Sequence, residues 1–527
     1  MRLLCVFTAV LLIFFSSLTY AQVGNLDPDF GNGTGHVVTN FIPELPSQGY
    51  AIEVQEDGRI VALGYTQGAD DSGYPVLARY MPDGTPDNSF NGNGKMISST
   101  PGYAQSLVIQ PDGKIIVPFS IYGDSERLIG LSRFNTDGSP DNSFDTDGIV
   151  TSSFGVPYLS LKAIVLQPDG KIVIGGYVGY DGDPFDQFLV ARYWPDGTPD
   201  ETWDEDGIVT TKVGESWTDL KSLLIQPDGK ILAIGYAVYD EYEDFAVVRY
   251  NTNGSPDEGF GDHGEAHLHF SDKDDEAVGG GLLPDGRIVL GGEAYDNATG
   301  KTIFAAGRLN ANGTPDNTFH GDGMAILAAT NYGGGARHML LQPDGKVMVG
   351  GYANLNANGS GGSDMTIVRF TDNGIADITF SDDGVKVYED GINISSEIQA
   401  MAFQQDGKVV TTGYSRVDAL NTLRVSRILT DVTLAANDPE LSVKNMSVYP
   451  NPVAEEINIE FELDRSEKVK IYLCDIEGKL VQPLVPSKLM SAGHHQERFT
   501  LRQLVAGSYF INVETERGTK TVMVVSE

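Results

Sequence analysis

Cysteine is almost absent from this chain of 527 residues, which contains only Cys5 and Cys474. Cys5 lies in an N-terminal segment with the features of a cleaved export signal, so the processed chain would retain Cys474 alone and could form no internal disulfide. A single cysteine within an alternating strand pattern is typical of a small core residue. The stability of the chain must therefore come from packing.

Basic residues are also scarce. Lys and Arg total 36 against 73 Asp and Glu, which gives a formal net charge of −37, and the acidic residues are spread along the whole chain. Binding to phosphate backbones depends on a high local density of cations. The composition therefore argues against nucleic acid as a partner.

Long apolar runs are missing after the first 21 residues. Residues 1–21 contain Arg2, the apolar run Leu11–Phe15 and a small residue, Ala21, at the cleavage-relevant position. This pattern predicts a signal peptide. The alternative, a retained membrane anchor, is disfavoured because the run is too short to span a bilayer. We expect a mature chain that starts at Gln22 and has no transmembrane segment.

Glycine, in contrast, is abundant, and one glycine-containing phrase repeats along the chain. The spacing between successive copies is close to 60 residues, as in a repeat protein. The seven copies occupy Gln55–Arg59, Gln110–Lys114, Gln167–Lys171, Gln226–Lys230, Leu283–Arg287, Gln342–Lys346 and Gln404–Lys408.

The third copy illustrates the predicted repeat unit. Apolar runs at Ala163–Leu166 and Ile172–Ile174 flank the phrase, and Pro, Asp and Gly suit a tight turn, so the phrase predicts a hairpin. A third strand at Phe188–Tyr193, a loop and a fourth strand at Ile208–Thr211 follow. Four antiparallel strands repeated seven times predict an all-β fold, a seven-bladed β-propeller over residues 22–430.

The two ends of the repeat array complement each other. The processed chain opens with a loop and a fourth strand, His36–Thr39, that no earlier strands precede, and the last repeat ends at its third strand, Leu423–Ile428. Pairing these two strands would complete the seventh blade and remove two exposed sheet edges. We therefore expect the N-terminal strand to close the ring.

An Arg and an Asp recur eight residues apart in the repeats. One interpretation is a set of ion-binding sites. The other, which we favour, is a structural clamp in every blade, because a pair that recurs identically in all blades is expected to stabilise the fold that all blades have in common. Ring closure would add a seventh pair, Arg427 with Asp27. The six sequential pairs are Arg79 with Asp87, Arg133 with Asp141, Arg192 with Asp200, Arg249 with Asp257, Arg308 with Asp316, and Arg369 with Asp377.

The repeat resembles the delta-60 repeat family of bacterial surface and secreted proteins. The resemblance rests on the turn phrases and on segments such as Ala78–Phe90 and Ala191–Trp203, and it covers about residues 25–430. It implies a β-rich, propeller-like array without a general activity. It supplies no catalytic residues.

A different pattern follows the repeats. Residues 431–445 are polar and predict a linker, and short alternating strands over residues 446–527 predict a small C-terminal β-sandwich. This domain resembles the type A C-terminal sorting domain of the Bacteroidota type IX secretion system through Tyr449–Pro452, the turn ending at Lys479 and the strand at Tyr509. The resemblance implies that the secretion machinery is a partner and that the protein is secreted or attached to the outer-membrane surface. The alternative is a sandwich that binds carbohydrate or packs on the propeller.

The loops between the second and third strands, and those between blades, vary from repeat to repeat. Variable loops on a rigid scaffold favour ligand binding. Tyr suits stacking on sugars and carboxylates suit Ca²⁺, although no calcium-loop spacing is present and solvated acidic loops are the alternative. The candidate residues are Asp70, Asp71, Asp124, Tyr180, Asp181, Asp183, Tyr239, Asp240, Tyr242, Tyr295 and Asp296.

No catalytic motif or cofactor site stands out. His267 and His269 could share a metal ion, but no third ligand lies at a typical spacing. The first hypothesis is therefore a non-catalytic propeller that acts as a binding or structural module and presents its variable-loop face to a glycan or a protein. The alternative is a carbohydrate-active enzyme, a glycosidase or lyase, that uses Asp or Glu on the variable-loop face.

Overall fold

The computed structural model describes residues 23–122, 126–180, 185–356, 362–389, 394–417, 420–432, 443–453, 456–463, 465–475, 479–501, 504–505, 507–515 and 518–526. The predicted signal peptide lies outside these ranges. The chain divides into two compact units, residues 1–432 and 433–527. Within the described ranges, no helix is long and apolar enough to cross a membrane.

The N-terminal unit consists of four-stranded antiparallel sheets, which we call blades. In blade 3 the hairpin turn predicted at Gln167–Lys171 joins β10 to β11, and Gly170 has the left-handed φ of +84° that this turn requires. The amide of Gln167 donates to the carbonyl of Lys171 at 2.9 Å and closes the turn. The repeated phrase is thus a hairpin, as predicted.

The described residues form seven such sheets. Blades 1 to 6 follow chain order, and blade 7 combines β26, β27 and β28 with β1 from the N-terminus. Their strands are β1 (His36–Thr39); β2 (Ser47–Val54), β3 (Ile60–Gln67), β4 (Gly73–Tyr80) and β5 (Lys95–Ile97); β6 (Val108–Ile109), β7 (Ile115–Tyr122), β8 (Arg127–Phe134) and β9 (Ile149–Ser153); β10 (Tyr158–Leu166), β11 (Ile172–Gly179), β12 (Gln187–Tyr193) and β13 (Ile208–Thr211); β14 (Thr218–Ile225), β15 (Ile231–Tyr239), β16 (Tyr242–Tyr250) and β17 (Glu265–Leu268); β18 (Glu276–Leu282), β19 (Ile288–Asp296), β20 (Lys301–Leu309) and β21 (Met324–Leu327); β22 (Gly334–Leu341), β23 (Val347–Asn354), β24 (Ser363–Phe370) and β25 (Val385–Val387); β26 (Ser395–Phe403), β27 (Val409–Val417) and β28 (Leu420–Ile428).

The ring closes as predicted. Strand β1 pairs with β28, and Val37 lies opposite Val425 in the register. The core between blades 7 and 1 contains buried side chains of both, including Phe30, Ile52 and Val410. Similar cores fill the space between other neighbouring blades, for example around Trp203 between blades 3 and 4. The hydrophobic cores therefore lie between the sheets.

The C-terminal unit contains two sheets, with strand orders β29–β30–β33 and β32–β31–β34–β35. Apolar side chains of both sheets form a single core, as expected for a β-sandwich. Cys474 is buried. The strands are β29 (Val443–Tyr449), β30 (Glu456–Leu463), β31 (Glu467–Asp475), β32 (Leu480–Met490), β33 (Gly493–Thr500), β34 (Gly507–Thr515) and β35 (Gly518–Ser526).

Both boundaries of the linker in the structure differ from the predicted ones, residues 431 and 445. Strand β29 starts at Val443, inside the segment assigned to the linker, because Val443 is buried in the sandwich core. At the other end, Asp431 belongs to the propeller unit, where its carboxylate binds Arg369.

Candidate functional site

The Arg and Asp residues that recur in the repeats are paired in every blade. The Arg Nε lies 2.6–2.8 Å from the Asp Oδ2, and ring closure brings Asp27 to Arg427 as the seventh pair. Ser, Thr or backbone groups hydrogen-bond the other carboxylate oxygen, as Thr202 does for Asp200. Burial alone would raise the pKa of Asp200, but these hydrogen bonds and Arg192 outweigh it and hold the pKa below its usual range.

Two further side chains complete each clamp. The Lys or Arg that ends the hairpin phrase lies 2.8–3.7 Å from the same Asp, as with Lys171 and Asp200. The Arg guanidinium also stacks on an aromatic ring 4.3–4.9 Å away, Trp203 in the case of Arg192. In the sequence, these two side chains correspond to a Lys or Arg and an aromatic residue that recur in every repeat.

The clamps also join neighbouring blades. Arg192 Nη1 donates to the carbonyl of Thr252 in blade 4 at 3.0 Å, and Arg133 donates to Pro195 in blade 3 at 2.9 Å. Between blades 6 and 7, the carboxylate of Asp431 takes the place of this carbonyl and binds Arg369. These contacts support the structural interpretation of the repeated charges, which stays a prediction.

Asp70, Asp71 and Asp240 lie in the connections between the second and third strands of their blades. Asp70 accepts hydrogen bonds from Ser72 and Tyr74, and Asp71 accepts one from Gln67. Asp240 lies in the two-residue turn between β15 and β16 with a φ of +48°.

Four other described candidates, Tyr239, Tyr242, Tyr295 and Asp296, lie on the neighbouring blades 4 and 5. Asp296 accepts hydrogen bonds from Ala298 and Thr299 within a turn. Tyr239 stacks on His267, and the hydroxyl of Tyr242 accepts a hydrogen bond from Lys273 at 2.9 Å. The amide of Tyr295 donates to Asp275 at 3.0 Å. Asp124, Asp181 and Asp183 lie outside the described residues.

The sequence pattern pairs His269 with His267, but the neighbours of His269 in the structure are Asp244 and Asp275. His267 stacks on Tyr239, whereas His269 Nδ1 lies 2.9 Å from Asp244 and its ligand atoms are within 4.8 Å of those of Asp244 and Asp275. The carboxylate of Asp275 already accepts four hydrogen bonds, from Phe270, from the amide and hydroxyl of Ser271, and from Tyr295. Since a carboxylate has about four lone-pair positions, Asp275 acts as a loop anchor.

A channel of about 550 Å³ lies inside the ring and is lined by the innermost strands. In β10, a bulge between Leu161 and Ala163 contains Lys162, and the same position, five residues before the turn phrase, lines the channel in every blade. In the sequence, this channel position is a residue that varies between repeats and lies at a fixed distance before each turn phrase. The seven residues are Tyr50, Gln105, Lys162, Lys221, Val278, Arg337 and Gln399.

Carboxylates lie close to the three basic residues of this set, Lys162, Lys221 and Arg337. Glu276 and Glu293 are directly opposite on β18 and β19, and Arg337 Nη1 lies 3.7 Å from Glu293. Burial raises the pKa of Glu293 to about 7, and Glu276 contributes to the increase. Lys221 Nζ lies 2.6 Å from Asp219.

A groove of about 600 Å³ adjoins the channel and extends over blades 2 to 4 on the variable-loop face. We call it the aromatic groove. Tyr122, Tyr158 and Trp217, whose exposed fractions are 64%, 53% and 66%, belong to three different blades. Its charged residues are Arg127, Lys162 and Asp186. The remaining aromatic residues are Tyr103, Tyr177 and Tyr180, of which Tyr180 was predicted from the sequence.

The architecture defines a repeat β-propeller followed by a β-sandwich. Six segments match the family described as "Domain of unknown function (DUF5122) beta-propeller", at residues 55–90, 110–144, 167–202, 226–260, 283–319 and 342–380. Residues 447–527 match the family described as "Secretion system C-terminal sorting domain". The chain is therefore a DUF5122 propeller protein with a type IX sorting domain, exported by that route to the cell surface or the medium.

Several solved structures are similar over most of the chain. The polysaccharide lyase Uly1 has a TM-score of 0.43 and 14% identity and covers 75% of this chain and 91% of its own. The β-propeller domain of the Trilobed protease from Pyrococcus furiosus has a TM-score of 0.40 and 14% identity, covering 76% and 99%. PorZ from Porphyromonas gingivalis, a surface component of the type IX secretion system, has a TM-score of 0.29 and 9% identity, covering 89% and 69%. No curated protein matches the chain significantly.

Proposed function

We propose that the exported propeller is a binding protein that holds a glycan chain in the aromatic groove. The observation that carries the proposal is the convergence of Tyr122, Tyr158 and Trp217, all more than half exposed, in one concave surface. Large exposed aromatic side chains are disfavoured on a soluble protein unless they serve an interaction. Their flat apolar faces match the C–H faces of sugar rings, and the Tyr hydroxyl and Trp N–H groups can bond to sugar hydroxyls.

The position of the groove also supports this function. The three exposed aromatic residues lie at strand ends or in connections on the variable-loop face, where side chains can differ without disturbing the cores between blades. The clamps make the blades beneath them a rigid platform, which limits the entropy lost on binding. A glycan on the surface of a cell or in the medium is accessible to an exported protein.

A glycan array probed with the secreted chain tests the proposal, with and without Ca²⁺ because the acidic loops are candidate calcium ligands. We expect binding to at least one glycan class and a loss of at least tenfold in affinity for Trp217→Ala and Tyr158→Ala. Tyr332→Ala is the matched control, because Tyr332 is 42% exposed but lies outside the groove. Absence of binding to any glycan, or equal losses in the control, would refute the proposal.

A second candidate function is catalysis at the channel mouth. Glu276 lines the channel and is directly opposite Glu293 in the register, and a carboxyl group with a pKa near 7 can act as a general acid or base at neutral pH. The test is an assay for soluble sugar products from any bound polysaccharide. Products that disappear in Glu293→Gln would favour an enzyme, whereas binding without products favours the binding protein.

A further inference from the structure

Lys162 lies where the aromatic groove meets the channel. As the bulge residue of β10 it lines both cavities, and its side chain is only 14% exposed. A bulge re-aims a side chain out of the regular sheet, which explains why a cation reaches the channel from a strand that is otherwise apolar on its buried face.

The ammonium group of Lys162 has no hydrogen-bond acceptor among the described residues. Its nearest carboxylate oxygen, Asp219 Oδ2, is 3.9 Å away, and Lys221 already binds that oxygen at 2.6 Å. The ring of Tyr177 lies 5.8 Å away. The Lys or Arg at the end of each hairpin phrase, in contrast, contacts an Asp. A largely buried cation without a hydrogen-bond acceptor and with only one long ion-pair contact is unfavourable, so this position is suited to an incoming anion.

Arg127 provides a second cation in the same groove. Its guanidinium lies 3.7 Å from the centre of the Tyr122 ring, and within the described ranges no side chain or carbonyl accepts a hydrogen bond from it. A stacked guanidinium keeps its donors free for a planar anion such as a carboxylate.

The described residues of the groove carry more positive than negative charge. Among them are two cations and one acid, Asp186, although acidic residues outnumber basic ones two to one in the sequence. Burial raises the pKa of Asp186, and the nearby Asp219 adds to this shift. The described lining of the groove is therefore more basic than the chain as a whole.

We infer that the ligand of the aromatic groove is an acidic glycan, whose sugar rings stack on the exposed aromatic residues while its carboxylate or sulfate groups bind Lys162 and Arg127. This inference rests on the proposed function and narrows it to one ligand class. The presence of exposed aromatic rings and two cations within one groove suits a polymer that repeats a ring and an acidic group.

Binding measurements with charge-matched polymers test the inference. The secreted chain is titrated, in EDTA, with polygalacturonate and with the same polymer after methyl esterification, and with dextran sulfate against dextran. We expect at least tenfold tighter binding to one acidic polymer than to its neutral counterpart, and a decrease in this preference as salt increases. The pair that shows the preference identifies the acidic group as carboxylate or sulfate.

The variants separate a binding role from a structural one. Lys162→Met and Arg127→Gln should each reduce the affinity for the acidic polymer about tenfold and leave binding of the neutral polymer unchanged. Lys162→Met should also retain or raise the melting temperature, because it removes a largely buried cation that has no hydrogen-bond acceptor and only a long contact with Asp219. Arg416→Gln is the control, because Arg416 is exposed at the end of β27 on the same face, in blade 7.

The possible results distinguish this inference from the proposed function. Equal binding of acidic and neutral polymers would overturn the inference and leave the proposed function intact. Binding of none of the four polymers, together with an empty glycan array, would overturn both. Poly-glutamate bound as tightly as the acidic glycan would overturn the assignment to a glycan and indicate an acidic peptide.

Discussion

Removing the arginine of one clamp is expected to destabilise the propeller strongly. In blade 3, Arg192 and Asp200 have exposed side-chain fractions of 7% and 0%, and their Nε–Oδ2 distance is 2.7 Å. Arg192→Ala deletes this ion pair, the stacking on Trp203 and the hydrogen bond to Thr252 in the next blade. Loss of one partner of a buried pair costs about 3–5 kcal/mol, since the other charge remains buried.

The corresponding change in melting temperature follows from the size of the unit. For a propeller of roughly 400 residues, an unfolding entropy of about 2 cal/mol/K per residue converts that loss into a decrease of about 4–6 °C. Lys171 stays near Asp200, at 3.7 Å, and can compensate part of its charge, so we expect the lower end of this range.

Differential scanning calorimetry of the secreted chain measures this decrease. Arg416→Ala is the matched control, since its side chain is exposed, and should change the melting temperature by less than about 1 °C. The double variant Arg192→Ala with Asp200→Asn should lose less than the sum of the two single variants. A melting temperature unchanged in Arg192→Ala would refute the interpretation of the pair as a structural clamp.

Three further predictions concern the scaffold and the export domain. The seven clamp aspartates have lowered pKa values, so they stabilise the fold above the usual carboxyl pKa of about 4 and lose this contribution below it. Burial raises the pKa of Glu293 to about 7, so its protonation stabilises the fold as pH falls through that value. Calorimetry should therefore show a melting temperature that increases from pH 8 to 6 and decreases below about 4. A melting temperature that continues to increase down to pH 3 would contradict the stabilising role of the clamp aspartates. Cysteines at Val37 and Val425, which are opposite in the register, should form a disulfide detectable after proteolysis on non-reducing gels, and two separate fragments would contradict ring closure. Deletion of residues 447–527 should leave the propeller inside the cell envelope in fractionation experiments, and undiminished export would contradict the role of the sorting domain.

The scaffold was predictable from the sequence because its signals are local and repeated. The turn phrase Gln167–Lys171 and the strands beside it lie within about fifty residues, and the pairing of Arg192 with Asp200 follows a fixed spacing. The unmatched strand at His36–Thr39 and the incomplete last repeat together predicted the closure, which the pairing of β1 with β28 confirms.

The aromatic groove was not predictable in the same way. Tyr122, Tyr158 and Trp217 belong to three blades, and no sequence spacing relates them; the curvature of the ring brings them together. The acidic residues of the variable loops are candidate ligands by residue type alone, yet Asp70, Asp240 and Asp296 lie in turns, where Asp is favoured for its short side chain. Lys162 could have been found by aligning the repeats, since every copy has its variable channel residue five positions before the turn phrase.

The most direct test of the functional account is a crystal structure of the secreted chain with a bound acidic oligosaccharide. The account predicts sugar rings stacked on Trp217 and Tyr158 and an acidic group within hydrogen-bonding distance of Lys162 Nζ. An oligosaccharide bound elsewhere on the propeller, or a groove that stays empty at saturating concentration, would contradict it.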